Sequence, residues 1–170
     1  KPKKYKKNKI DIAFICSDAG YSKTLIPLFE QLNEEHKKFL IILPLSSKNW
    51  NIEKKIKKLS YSKIVFIEDF LDSKMKKKLL QREKIFRKLY KTNQHNLKNI
   101  FSVNNKTFFK HTRPSIKVLF TRYLPQTMSY IDIAHKIFET YETKVLVGGK
   151  LRRYVENSFF YMAKAQNIST

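Results

Sequence analysis

The chain has 170 residues, of which 42% are apolar, 14% aromatic and 29% charged. That composition excludes a disordered or fibrous polymer and suits one globular domain with a sizeable core. Its one cysteine, Cys16, has no partner for a disulfide within the chain and no Cys-x-x-Cys mate for a zinc or thioredoxin-like site, which fits a reducing, cytoplasmic setting.

Thirty-six Lys and Arg against fourteen Asp and Glu give a net charge of +22, which points to an anionic partner: nucleic acid, a phospholipid surface or a phosphorylated substrate. Most of the basic residues are Lys, accompanied by many Asn and Ile, the bias of an AT-rich coding sequence. Distribution is therefore more informative than the total. Residues 1–9 hold six Lys and no acid and read as a basic flexible arm. Residues 71–98 hold ten Lys and Arg against Asp72 and Glu83. There Leu71, Met75, Leu79, Phe86 and Leu89 or Tyr90 recur at helical spacing, so the segment is an amphipathic helix with a cationic face. Such a helix packs its stripe on a core or lies on an anionic membrane surface.

Residues 10–16 (IDIAFIC) form an apolar, branched run that stops at the turn formers Ser17, Asp18 and Gly20. A helix follows in which Leu25, Leu28, Phe29 and Leu32 share a face and Pro27 falls in the first turn. Residues 38–44 and 63–68 are further apolar strands, with a short basic helix over 52–59 between them. Strands apolar throughout and separated by helices predict a parallel sheet covered on both faces. The fold class is α/β, a Rossmann-like doubly wound sheet with strands near 10–16, 38–44, 63–68 and 144–148 and the order 3-2-1 for the first three. A long helical insertion occupies about 71–142, with a break near Pro125. A last helix runs over 151–166, and residues 167–170 begin a fifth strand. Residues 10–170 thus read as a single Rossmann-like domain. With no Met at position 1 and a sheet expected to continue, it reads as the N-terminal half of a longer two-domain protein. Apolar runs fall far short of the ~20 residues that cross a bilayer.

Ligands of open α/β sheets bind beyond the carboxyl ends of the strands, where strand order reverses. With strand four beside strand one, two loops meet there. The first offers Gly20, Tyr21 and the amides of a helix N-terminus; the second offers Gly148, Gly149, Lys150, Arg152 and Arg153, a set suited to phosphate or carboxylate. Asp18 in the first loop is placed for general-base work or for a helix cap. Glu68 and Asp69 end strand three at the same edge and could hold a metal or sugar hydroxyls, or form only a turn. Residues 17–24 end in Lys23-Thr24 after a strand, yet Ser17 and Ser22 stand where a P-loop needs glycine, so nucleotide hydrolysis is not expected. GxGxxG is absent, which argues against a dinucleotide cofactor. His36, His95, His111 and His135 lack metal-ligand spacing, and no metal site is expected.

The loop Asp18-Ala19-Gly20-Tyr21, the following Thr24-Leu25-Ile26-Pro27-Leu28-Phe29-Glu30-Gln31-Leu32 and His36 before strand two resemble the start of GT-B glycosyltransferases. Strand four, Gly148-Gly149 and Ala163 to Thr170 are similar to the same enzymes and to the related UDP-N-acetylglucosamine 2-epimerases, where "A-x-x-x-G-I-P" leads into strand five. Tyr21 stands where those enzymes commonly carry His, and Asn167 where they carry Gly. The resemblance implies an acceptor-side domain of a glycosyltransferase of glycan or surface polysaccharide biosynthesis. Asp18 would be the candidate base, and Gly20, Tyr21, Glu68, Asp69, Gly148, Gly149, Lys150, Arg152 and Arg153 would face substrate. It further implies no cofactor in this domain, a nucleotide-sugar donor held by a missing C-terminal domain, and little activity for this chain alone. The implied partner is a glycan or lipid-linked acceptor, and the implied location is cytoplasmic, at the inner face of the membrane through the 71–98 helix. The alternative from charge alone is a non-catalytic basic α/β module that binds nucleic acid or an anionic membrane surface.

Overall fold

In the computed structural model, which describes residues 8–104, 106–149 and 154–170, the contacts divide the chain into two units. Asp72–Ser129 forms one, and the residues on either side of it form the other.

In the sheet unit, β1 (Asn8–Ile15) leads to α1 (Ala19–Thr24), α2 (Ile26–Glu34), β2 (Phe39–Leu43), a 3-10 turn, α3 (Ile52–Ile56) and β3 (Ser62–Phe66). Pro27 sits at the start of α2, where its missing N–H costs nothing. The helix stops at His36, whose φ of 56° closes a Schellman turn, with Lys37 N–H donating to Leu32 O at 2.9 Å and His36 N–H to Asn33 O at 3.1 Å.

The helical unit comprises α4 (Ser73–Thr92), α5 (Gln94–Ile100), the two-residue strands β4 (Ser102–Val103) and β5 (Lys106–Thr107), and α6 (Phe109–Val118). A π-helical turn, Leu119–Tyr123, joins α6 to α7 (Leu124–Thr140). Sequence predicted a break near Pro125. Instead the helix widens just before it, which relieves the clash between the proline ring and the carbonyl four residues back without ending the helix. The core here is small: Tyr90, Phe109 and Ile116, with Leu97, Phe101 and Phe120 against them. On α4 only Met75 and Tyr90 are buried, so Tyr90, not Leu89, completes the stripe.

The chain returns to the sheet with β6 (Tyr141–Gly148) and ends with α8 (Tyr154–Ala165). All pairings in the main sheet are parallel, in the order β3-β2-β1-β6, so the Rossmann-like α/β class and the 3-2-1 order read from sequence are those observed. β6 starts three residues before the predicted strand. Its first half alternates, with Tyr141 and Thr143 buried and Glu142 and Lys144 exposed, and so lacks the apolar run that marked the other strands. Lys144 is paired with Asp11 across the β1–β6 ladder at 2.7 Å, and this bond holds the Asp11 carboxyl below its ordinary range. Ser169 forms a parallel bridge to Val145, the predicted start of a fifth strand. Asn167, at φ 58°, closes α8 with a second Schellman turn, the left-handed position glycine or asparagine fills most readily.

Right-handed crossovers fix which helix covers which face. Phe14, Cys16, Phe39, Ile41 and Leu43 point to one face and pack with Phe29 and Leu32 of α2 and Ile52 and Ile56 of α3. Phe29 meets Phe14 edge-on at 5.0 Å between centroids and stacks on Phe39 at 5.6 Å. Strand order reverses between β1 and β6, so the later helices take the opposite face. There Phe138 meets Phe159 edge-on, and Phe160 of α8 lies beside Ile15 and Gly148. Each fully buried apolar side chain contributes about 1.5–3 kcal/mol.

Candidate functional site

The reversal of strand order leaves a gap beyond the carboxyl ends of β1 and β6, where Ile15 and Gly148 are register partners. Tyr21, from the segment after β1, and Gly149, from the segment after β6, come together there. The half-buried Tyr21 ring lies directly on Gly149, and a Cβ built at Gly149 would come 2.5 Å from the ring carbons. Only glycine admits this approach; its φ is not in the left-handed region.

Just past the end of β1, the Ser17 hydroxyl donates to Glu156 Oε1 at 2.5 Å. Glu156 is only 1% exposed, a burial that carboxylates rarely show unless paired. Sequence reading missed it. The signal was its spacing of three from Phe159 and seven from Ala163, which puts it on the buried face of α8. Cys16, in the core beside Ser17, is fully buried. Burial pushes its thiol up to about 12, opposed by a hydrogen bond with Ser22 and aided to a lesser extent by the negative charge of Glu156.

That shift has a measurable consequence. The folded chain should resist a thiol reagent such as DTNB at pH 7 to 9 and react only on unfolding. Because the folded value lies above the unfolded 9.0, the unfolded thiol loses its proton first. This contribution to stability is full below pH 9 and is lost as pH rises toward 12. Fast labelling of the native chain at pH 8 would contradict the buried placement.

Asp18 is the N-cap of α1: its Oδ1 accepts from Gly20 N–H at 2.9 Å and Tyr21 N–H at 3.2 Å. The sequence expectation that these amides greet an external anion is thus corrected. The chain's own carboxylate takes them, because an acid at this position satisfies the otherwise orphaned N–H groups. Gly20 is held close to that carboxylate, with a Cβ there 3.1 Å from Oδ1.

Glu68 and Asp69 lie on a 3-10 turn, Ile67–Phe70, after β3. Glu68 Oε2 accepts from Leu45 N–H at 2.7 Å and so ties together the loops after β2 and β3. Both acids are exposed. Tyr130 and Tyr154 pack as a ring pair at 5.7 Å. Burial, then Tyr154, then the Glu68 charge push the Tyr130 phenol up, so these residues form a second polar group at this edge. Lys150, Arg152 and Arg153, and residues 1–7 of the basic arm, lie outside the described residues.

Three of the four histidines have local side-chain partners. His36 caps α2 with its ring against Tyr61, His95 lies beside Asn99, and His135 lies beside Gln166. Among the described residues no three His, Cys, Asp or Glu cluster as metal ligands, and no helix is long and apolar enough to cross a membrane. No protein-family model, no curated protein and no solved structure matches this chain, so the functional reading rests on the fold and the crevice.

Proposed function

We propose that this chain is the acceptor-side α/β domain of a GT-B-like glycosyltransferase acting in glycan or surface polysaccharide biosynthesis. The observation that supports the reading is the contact of Tyr21 with Gly149 at the β1–β6 reversal, beside the strand end where Ser17 donates to Glu156. Ligands of open α/β sheets bind at this position. Sugars suit such a position, because an aromatic face takes their C–H side.

In the proposed reaction the acceptor hydroxyl gives its proton to the Asp18 carboxylate as its oxygen bonds to the anomeric carbon of a nucleotide sugar. The bond from that carbon to the diphosphate breaks, and the nucleotide diphosphate leaves. A second Rossmann-like domain of the natural polypeptide would hold the donor. Lys150, Arg152 and Arg153 would help to offset the negative charge.

The test uses the natural polypeptide, with release of nucleotide diphosphate as readout. Asp18→Asn keeps a capping oxygen, since asparagine caps as well as aspartate, but removes the base. Turnover should fall roughly 100-fold to 10,000-fold with the melting temperature unchanged. Unchanged turnover would remove Asp18 from the base role, and failure to transfer from any nucleotide sugar would remove the transferase reading.

A further inference from the structure

The positive charge is concentrated in the helical unit. Asp72–Ser129 carries fifteen Lys and Arg against Asp72 and Glu83 alone, +13 of the total +22 in about a third of the chain. Within this unit a cleft of about 700 Å³ opens between α4 and α6. Arg87 and Lys91 line it from one helix and Arg113 and Lys117 from the other. Each pair is spaced i, i+4, so the two side chains of a pair stand one turn apart on the same face.

Like charges at this spacing repel. None of the four forms an ion pair among the described residues, and Glu83, one turn before Arg87, is the one acid on α4. Tyr90 lines the same cleft and is only 4% exposed, so its ring is a packed part of the wall, beside four cations that a multivalent anion would neutralise.

We infer that this cleft binds a diphosphate group. Two arginines suit planar, bidentate contact with phosphate oxygens, and two lysines add point charges. Charge drawn from two helices into one concavity favours a compact anion over an extended strand, which would need a track of cations and stacking faces. The volume leaves room for whatever carries the phosphates. The inference does not depend on the transferase reading, because it uses residues of the helical unit only.

The experiment titrates the full chain with inorganic pyrophosphate by calorimetry. Pyrophosphate should bind in the millimolar range or tighter. The pair Arg87→Gln with Arg113→Gln should weaken binding roughly tenfold or more. The pair Lys76→Gln with Lys77→Gln, elsewhere on α4, should change it by less than about twofold. Circular dichroism on each variant separates lost binding from lost folding.

Vesicles of phosphatidylcholine with and without a polyprenyl diphosphate distinguish the sources. Binding to the diphosphate vesicles that soluble pyrophosphate displaces assigns a lipid carrier, and binding of pyrophosphate alone assigns a soluble ligand. No binding at millimolar pyrophosphate overturns the inference. So do equal losses from both double variants, or a single-stranded DNA bound more tightly than pyrophosphate and weakened equally by both pairs.

Discussion

Phe29→Ala is expected to destabilise the sheet unit by about 3–5 kcal/mol, the range for removing a fully buried aromatic ring. Phe29 has no exposed surface and is held by an edge contact to Phe14 and a stacked contact to Phe39. It thereby joins α2 to both central strands. Collapse around the vacated space is limited, because Phe14 and Phe39 are themselves fixed in the sheet. Trp50, the only tryptophan, packs against the same cluster, so its fluorescence in a urea titration reports the loss directly. Leu28→Ala, at a neighbouring position that is 39% exposed, should stay within about 0.5 kcal/mol or slightly above. Equal costs at the two positions would mean that the α2 face does not organise this core.

Gly149→Val should cost about 1–3 kcal/mol, as overpacking does, and should force Tyr21 out of its seat. The added carbons have no room, since a Cβ alone meets the ring at 2.5 Å. The cost should shrink when Tyr21 is first changed to Ala, because the obstructing ring is then gone. A double-mutant cycle by thermal unfolding measures that coupling. Additive effects would show that the two loops do not touch.

The fold was legible because β1, β2 and β3 carry unbroken apolar runs between turn formers, and two buried faces require that pattern. The start of β6 was less legible. Only one face of Tyr141 to Lys144 is buried, and alternation over four residues is a weak signal. The helical unit shows the limit of periodicity: Leu80, Ile85 and Leu89 are exposed on α4 although their hydrophobicity matches that of residues assigned inward. With little core to bury against, the helix leaves much of its apolar surface uncovered.

The two halves of the candidate site differed in the same way. Gly149 could be picked out because glycine after a strand marks close approach, and its partner Tyr21 lay in the other loop. Glu156 could not, because a carboxylate on an amphipathic helix is ordinarily assigned to water. Only the packing of α8 against β1 shows that it faces Ser17. Asp18 carried two readings in sequence, base or cap, and the cap geometry is now visible.

The central claim is that the β1–β6 crevice receives a glycan acceptor, and the most direct measurement is retention of this chain on a glycan array beside its Gly149→Val variant. The account predicts that the chain is retained by at least one glycan and that Gly149→Val abolishes retention while Arg87→Gln with Arg113→Gln leaves it intact. Retention by no glycan, or equal retention of the Gly149→Val variant, would contradict it.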